Sequence, residues 1–157
     1  MDFFDKEMNK KICINYLIMI LFFILIVIIL SVYEMLIPKK FNRNIKIVDS
    51  DEYVVNIESL NSSRIKLSIS GYAFKGPDAI ERYNSYYILK NEQTGKMYKL
   101  KTKMEQRGNF KGTGVEFSGM HSQAITLFME KGKYNLYIWY DNNDENVFLK
   151  TDKEIEI

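Results

Sequence analysis

The residues that could do chemistry are few. His121 is the only histidine. A triad or metal site built on it would need an acid and a nucleophile, or further ligands, which its neighbours do not supply. It reads as an ordinary polar residue near a strand start. Asp141, Asn142, Asn143, Asp144, Glu145 and Asn146 set oxygen ligands at alternate positions, with Asp152 further along. A calcium loop, however, needs glycine where Asn146 stands and a bidentate glutamate where Asp152 stands. The run is therefore expected to be a solvated hairpin turn. Gly108, Gly112 and Gly114 lack the Gly-Lys-Ser/Thr continuation and the following helix of a phosphate loop. No catalytic residue, metal or cofactor is expected, and nothing pairs a nucleophile with a base.

Two groups of side chains are better suited to binding. If Tyr134, Leu136 and Ile138 face a core, strand alternation puts Tyr137 and Trp139 on the opposite face, with Tyr86 able to join them from a neighbouring strand. An exposed aromatic row of this kind stacks on flat sugar rings or forms a protein contact. The competing expectation is that Trp139 belongs to the core, as tryptophan usually does. The second group is the basic series Lys99, Lys101 and Lys103, continued by Lys96, Arg107 and Lys111. It could meet anionic wall polymer or lipid headgroups, or serve as a solvated face that discourages edge pairing. The 22 basic and 20 acidic residues leave a formal net charge of +2, too weak a field to suggest nucleic acid as a partner.

The elements that must position these side chains are strands. Ile65, Leu67 and Ile69 alternate with polar residues, after a strand over 53–58 and an Asn61-Ser62-Ser63 turn that is also a formal glycosylation sequon. A short strand over 44–48 precedes them. Residues 83–90 run into a loop containing Gly95, and 97–104 follow with Tyr98, Leu100, Thr102 and Met104 inward. Further strands are expected at 115–117, 123–128, 133–140 and 147–157. About seven short strands with turns every ten or so residues predict an antiparallel, immunoglobulin-like β-sandwich in the broad sense, with a small barrel as the competing fold.

Residues 12–33 are uncharged and overwhelmingly apolar. About 20 such residues at about 1.5 Å each suffice to cross a bilayer core. The flank after the run has no small-residue cleavage pattern, and Cys13 lies before it rather than after, so neither a signal peptide nor a lipoprotein anchor is expected. The domain plan is a cytoplasmic tail at 1–11, a transmembrane helix at 12–33, a juxtamembrane linker at 34–43 and a β-sandwich at 44–157. Lys39, Lys40, Arg43 and Lys46 favour a cytoplasmic sandwich by count. Lys10 and Lys11 abut the helix directly, and long domains translocate largely regardless of charge, so the sandwich is expected outside. With no cysteine beyond Cys13, its core must hold without disulfides. Usage rich in Ile, Lys, Asn and Tyr suggests an AT-rich, low-GC Gram-positive bacterium.

An ordered series of short segments carries a resemblance: Gly71-Tyr72-Ala73-Phe74; Tyr98-Lys99-Leu100 with Arg107; Phe117-Ser118-Gly119-Met120; residues 132–138; and residues 151–157. Together they resemble uncharacterised membrane-anchored extracytoplasmic β-sandwich envelope proteins of clostridia and related low-GC Gram-positive bacteria. The likeness covers most of residues 65–157 and departs between Arg107 and Val115, where a glycine-rich loop replaces an acidic segment. The resemblance implies a non-catalytic interaction module of the cell envelope. Its implied partners are the membrane, with envelope proteins or surface polysaccharide and its assembly machinery, and it implies no catalytic residues.

Overall fold

The computed structural model describes residues 2–42, 47–48, 52–76, 79–143 and 145–157, the side chains of 2–10 and 35 excepted. It divides into two units, Met1–Met35 and Leu36–Ile157. The first is made by helix α1 (Asp2–Leu36), which runs through both the expected tail and the apolar segment. Its stretch Lys11–Glu34, 24 residues, is long and apolar enough to cross a membrane, and none of it is buried within the chain. One of its few polar groups, the Ser31 hydroxyl, donates to the Val27 carbonyl at 2.8 Å, so it makes no demand on its surroundings.

The second unit is mainly β, a sandwich-like pair of sheets. Ten strands are described: β1 (Lys39–Phe41), β2 (Ile47–Val48), β3 (Tyr53–Ser62), β4 (Lys66–Lys75), β5 (Tyr86–Asn91), β6 (Met97–Lys99), β7 (Thr102–Glu105), β8 (Gly119–Ile125), β9 (Lys133–Asn142) and β10 (Glu145–Glu156). One sheet has the order β1-β6-β5-β9-β10-β2 and the other β3-β4-β8-β7. The inward residues of both meet in one core. Leu67, Ile69 and Ala73 from β4 and Met120 and Ala124 from β8 pack against Tyr87, Leu89, Tyr134, Leu136, Ile138, Tyr140 and Leu149 of the larger sheet. Along one side β3 and β10 are tied by two hydrogen bonds, Tyr53 Oη to Glu145 Oε2 at 3.0 Å and Ser62 Oγ to the Glu156 carbonyl at 3.4 Å.

Several expected elements differ. The expected linker carries β1, a strand on the edge of the larger sheet, and of the expected strand over 44–48 only β2 falls within the described residues. The single strand expected over 97–104 is two, β6 and β7, in different sheets. Alternation could not reveal this, because Tyr98, Leu100, Thr102 and Met104 all still face inward when the chain crosses between sheets at Leu100–Lys101. Residues 115–117 form a turn, not a strand, and the strand expected at 123–128 is shifted to β8. Ile65, expected inward with Leu67 and Ile69, precedes β4 in the hairpin turn and is exposed.

Two features fix the hairpins locally. Asn91 Oδ1 accepts from the Gln93 and Thr94 N–H groups at 2.9 and 2.8 Å, closing the turn between β5 and β6 where a glycine loop was expected. The Tyr134 hydroxyl donates to the Glu130 carbonyl at 2.6 Å, which pins the loop before β9 to that strand's first turn inward.

Candidate functional site

The aromatic row lies where alternation places it, on the outer face of the larger sheet, but it is not exposed. Tyr86 pairs with Trp139, and Ile88 with Tyr137. Trp139 is only 2% exposed, Tyr137 7% and Tyr86 8%. This corrects the expectation of an open platform. The rings bury one another: Trp139 stacks on Tyr86 with centroids 5.7 Å apart and meets Phe41 and Phe148 edge-on at 5.0 and 5.4 Å. Phe41 comes from the stretch expected to be a linker, and Phe148 from the neighbouring strand β10. Alternation names the side of a sheet a residue occupies, not what else shares that side. The result is a second apolar cluster on a face expected to be wet.

The basic series is likewise divided. Lys99, on β6, lies over the Tyr86 ring at 3.4 Å from its centroid, on the outer face of the larger sheet. Lys103, on β7, pairs in register with His121 on the outer face of the smaller sheet, and Lys101 lies exposed in the crossing between sheets. These three side chains therefore do not form one anionic-polymer surface. Lys96 is ion-paired with Glu130. Arg107 grips Glu58 with both terminal guanidinium nitrogens, Nη1 at 2.6 Å, and lies 5.2 Å over the Tyr72 ring. The pairing holds the Glu58 carboxyl below its usual range and raises Arg107. Gly119 permits this contact, since a Cβ there would lie 2.8 Å from Arg107 Cδ. Among the described residues His121 has only Gln123 within hydrogen-bonding distance of its ring, at 3.4 Å.

The oxygen-rich turn between β9 and β10 is spent on structure. Asn143, with φ of 48°, accepts through Oδ1 from the Glu81 and Arg82 N–H groups at 2.8 and 3.1 Å. Asn142 Oδ1 accepts from the Asn84 N–H and the Ser85 hydroxyl, and Asp141 from the Asn84 side-chain amide. Among the described residues no group of three or more His, Cys, Asp or Glu could hold a metal ion. Asp144 lies outside the described residues.

Beside that turn, Lys75, Tyr140, Asn143 and Glu145 line a pocket of about 230 Å³. Lys75 Nζ lies 2.5 Å from Glu145 Oε1 and 3.8 Å from Glu52. Burial, the hydrogen bond to Glu145 and its charge push Tyr53 up to about 12, and the bond to Glu145 raises Lys75. Both shifts run away from neutrality, the opposite of what would prime either group as a general base near pH 7. Because the Tyr53 value is raised in the fold, its contribution to stability is complete below pH 10 and is lost as pH climbs from 10 towards about 12. Glu145→Gln is expected to lower the Tyr53 value while leaving the part due to burial. NMR titration of ring-labelled tyrosine, with Tyr53→Phe to assign the signal, measures it.

The surface that alternation missed is an exposed apolar tip. Ile65, Leu127 and Phe128 are 57%, 60% and 66% exposed. Two turns bring them together, since the Thr126 N–H donates to the Ile65 carbonyl at 3.1 Å. The available signal was the adjacency of Leu127 and Phe128: neighbours on a strand cannot both face inward.

Fold and surfaces together define a β-sandwich-like domain that follows an apolar N-terminal helix and displays a projecting apolar tip. No family model matches the chain, and no curated protein or solved structure is found to match it.

Proposed function

We propose that the protein is a single-pass membrane protein whose sandwich is a non-catalytic interaction module of the bacterial cell envelope, with the tip of Ile65, Leu127 and Phe128 as its contact surface. The observation that carries this reading is α1. A helix that is apolar around its whole circumference is stable either in a protein core or in lipid, and Lys11–Glu34 has none of its residues buried in the chain. That exposure supports lipid as the surroundings of the helix. Lys10 and Lys11 directly before the apolar run support an outward-facing sandwich.

The strand order supports an immunoglobulin-like sandwich. Strands β3-β4-β8-β7 follow the order A-B-E-D of such domains, and β10-β9-β5 follows G-F-C, with β6 added beside C. The Tyr134 hydroxyl bound to the Glu130 carbonyl has the form of a tyrosine corner at the start of strand F. The segments that resemble clostridial envelope proteins lend support to a low-GC Gram-positive setting and a place beside polysaccharide assembly. With Trp139 covered, no observation favours a sugar-binding platform on β9.

Alkaline carbonate extraction and protease shaving of intact cells test the proposal. The chain is expected to stay in the membrane pellet and its sandwich to be cleaved from outside. Release into the carbonate supernatant would sink the anchor. A sandwich protected in intact cells and cut only after lysis would reverse the orientation.

A further inference from the structure

We infer that the tip of Ile65, Leu127 and Phe128 docks onto an anionic lipid surface. This rests on the tip being the contact surface proposed above. Its apolar residues are held outward by backbone geometry. The Met129 N–H donates to the Thr126 carbonyl at 2.9 Å, so Leu127 and Phe128 occupy the two central positions of a closed turn. Ser63 Oγ both donates to the Lys66 carbonyl at 3.0 Å and accepts from its N–H at 3.2 Å, fixing the hairpin that carries Ile65.

The charge around the tip points to its occupant. Arg64 and Lys66 flank Ile65, and Lys131 follows Phe128 by three positions; all three are exposed. None of them makes an ion pair among the described residues. Of the nearby acids, Glu130 is ion-paired with Lys96, while Glu156 stands opposite Lys133 in strand register. Exposed apolar side chains with cations beside them in the chain match a bilayer interface, where the acyl boundary takes the first and phosphate headgroups the second.

The full chain is embedded through its helix in zwitterionic nanodiscs and mixed with vesicles of phosphatidylglycerol or phosphatidylcholine. Flotation is expected with the anionic vesicles and about tenfold less with the zwitterionic ones. The pairs Leu127→Ser with Phe128→Ser, and Arg64→Glu with Lys66→Glu, should each cut flotation about tenfold. Both should leave the unfolding midpoint, read from the fluorescence of Trp139, in place. Equal flotation of parent and variants, or none by the parent, overturns lipid docking. A photoreactive amino acid in place of Phe128 in cells separates the two readings. Lipid adducts uphold both. Protein adducts without flotation keep the contact surface and overturn its lipid partner. Adducts with neither overturn both.

Discussion

Trp139→Ala will destabilise the sandwich by about 3–5 kcal/mol, among the largest effects of any single truncation in it. The indole is fully enclosed by Phe41, Tyr86 and Phe148, and these rings come from β1, β5 and β10. Removing it leaves a cavity shared by four strands, none of which can close it by a side-chain rotation alone. At about 3–5 °C per kcal/mol, between the ranges for smaller and larger domains, the melting temperature should fall by roughly 10–25 °C. Circular dichroism of parent and variant measures the change, since the variant has lost the only tryptophan. A surface ring would behave otherwise, because exposed substitutions usually shift stability by about 0.5 kcal/mol or less. Loss on that smaller scale would return Trp139 to the role of a sugar platform. Trp139→Phe should cost less than the alanine change, as it keeps an edge-on ring in the cluster.

Gly71→Ala is the second large effect, from a single added methyl group. Gly71 pairs with Ile57, next to the irregularity where β3 inserts a residue between Ile57 and Ser59. The bulge brings the Asn56 carbonyl over β4, so that a Cβ on Gly71 would sit 2.2 Å from that oxygen and 3.1 Å from the Ile57 Cα. Both obstacles are backbone, and no rotamer relieves them. Moving one strand of the smaller sheet away from its neighbour costs about 3 kcal/mol on the usual scale of overpacking. Gly108→Ala is the matched control, because a Cβ there meets nothing within 4 Å. Urea unfolding of the three proteins, followed by Trp139 emission, should separate Gly71→Ala from the other two. Coincident midpoints would mean that β3 yields freely at its bulge.

The same two sites show what the sequence could and could not convey. The alternation of Tyr134, Leu136 and Ile138 against Tyr137 and Trp139 placed every one of these side chains on its correct side of β9. It was silent on the cover over the second side, which depends on Phe41 arriving from a three-residue strand too short to carry a pattern. Period-two patterning also ran unbroken from Tyr98 to Met104 while the chain changed sheets, because a crossing keeps parity. The basic residues on that stretch therefore looked like one row and lie on opposite sides of the sandwich. The tip was legible only as a violation, two adjacent apolar residues at Leu127 and Phe128 where alternation demanded one.

The placement of β1 and β2 on opposite edges of the larger sheet has a consequence for the order of events during synthesis. These are the first strands to be made, yet β1 waits for β6, and β2 for β10. Ile47 meets Phe148, so at roughly 5–20 residues per second about 5–20 s separate the appearance of the two partners. The larger sheet cannot be completed by growth from one end, and its last strand is the one that admits its second. Until β10 emerges, β2 has no strand to pair with and β9 lacks the neighbour that brings Phe148 over Trp139. A ribosome halted before Glu145 would therefore hold a chain whose helix is finished and whose sandwich is still open.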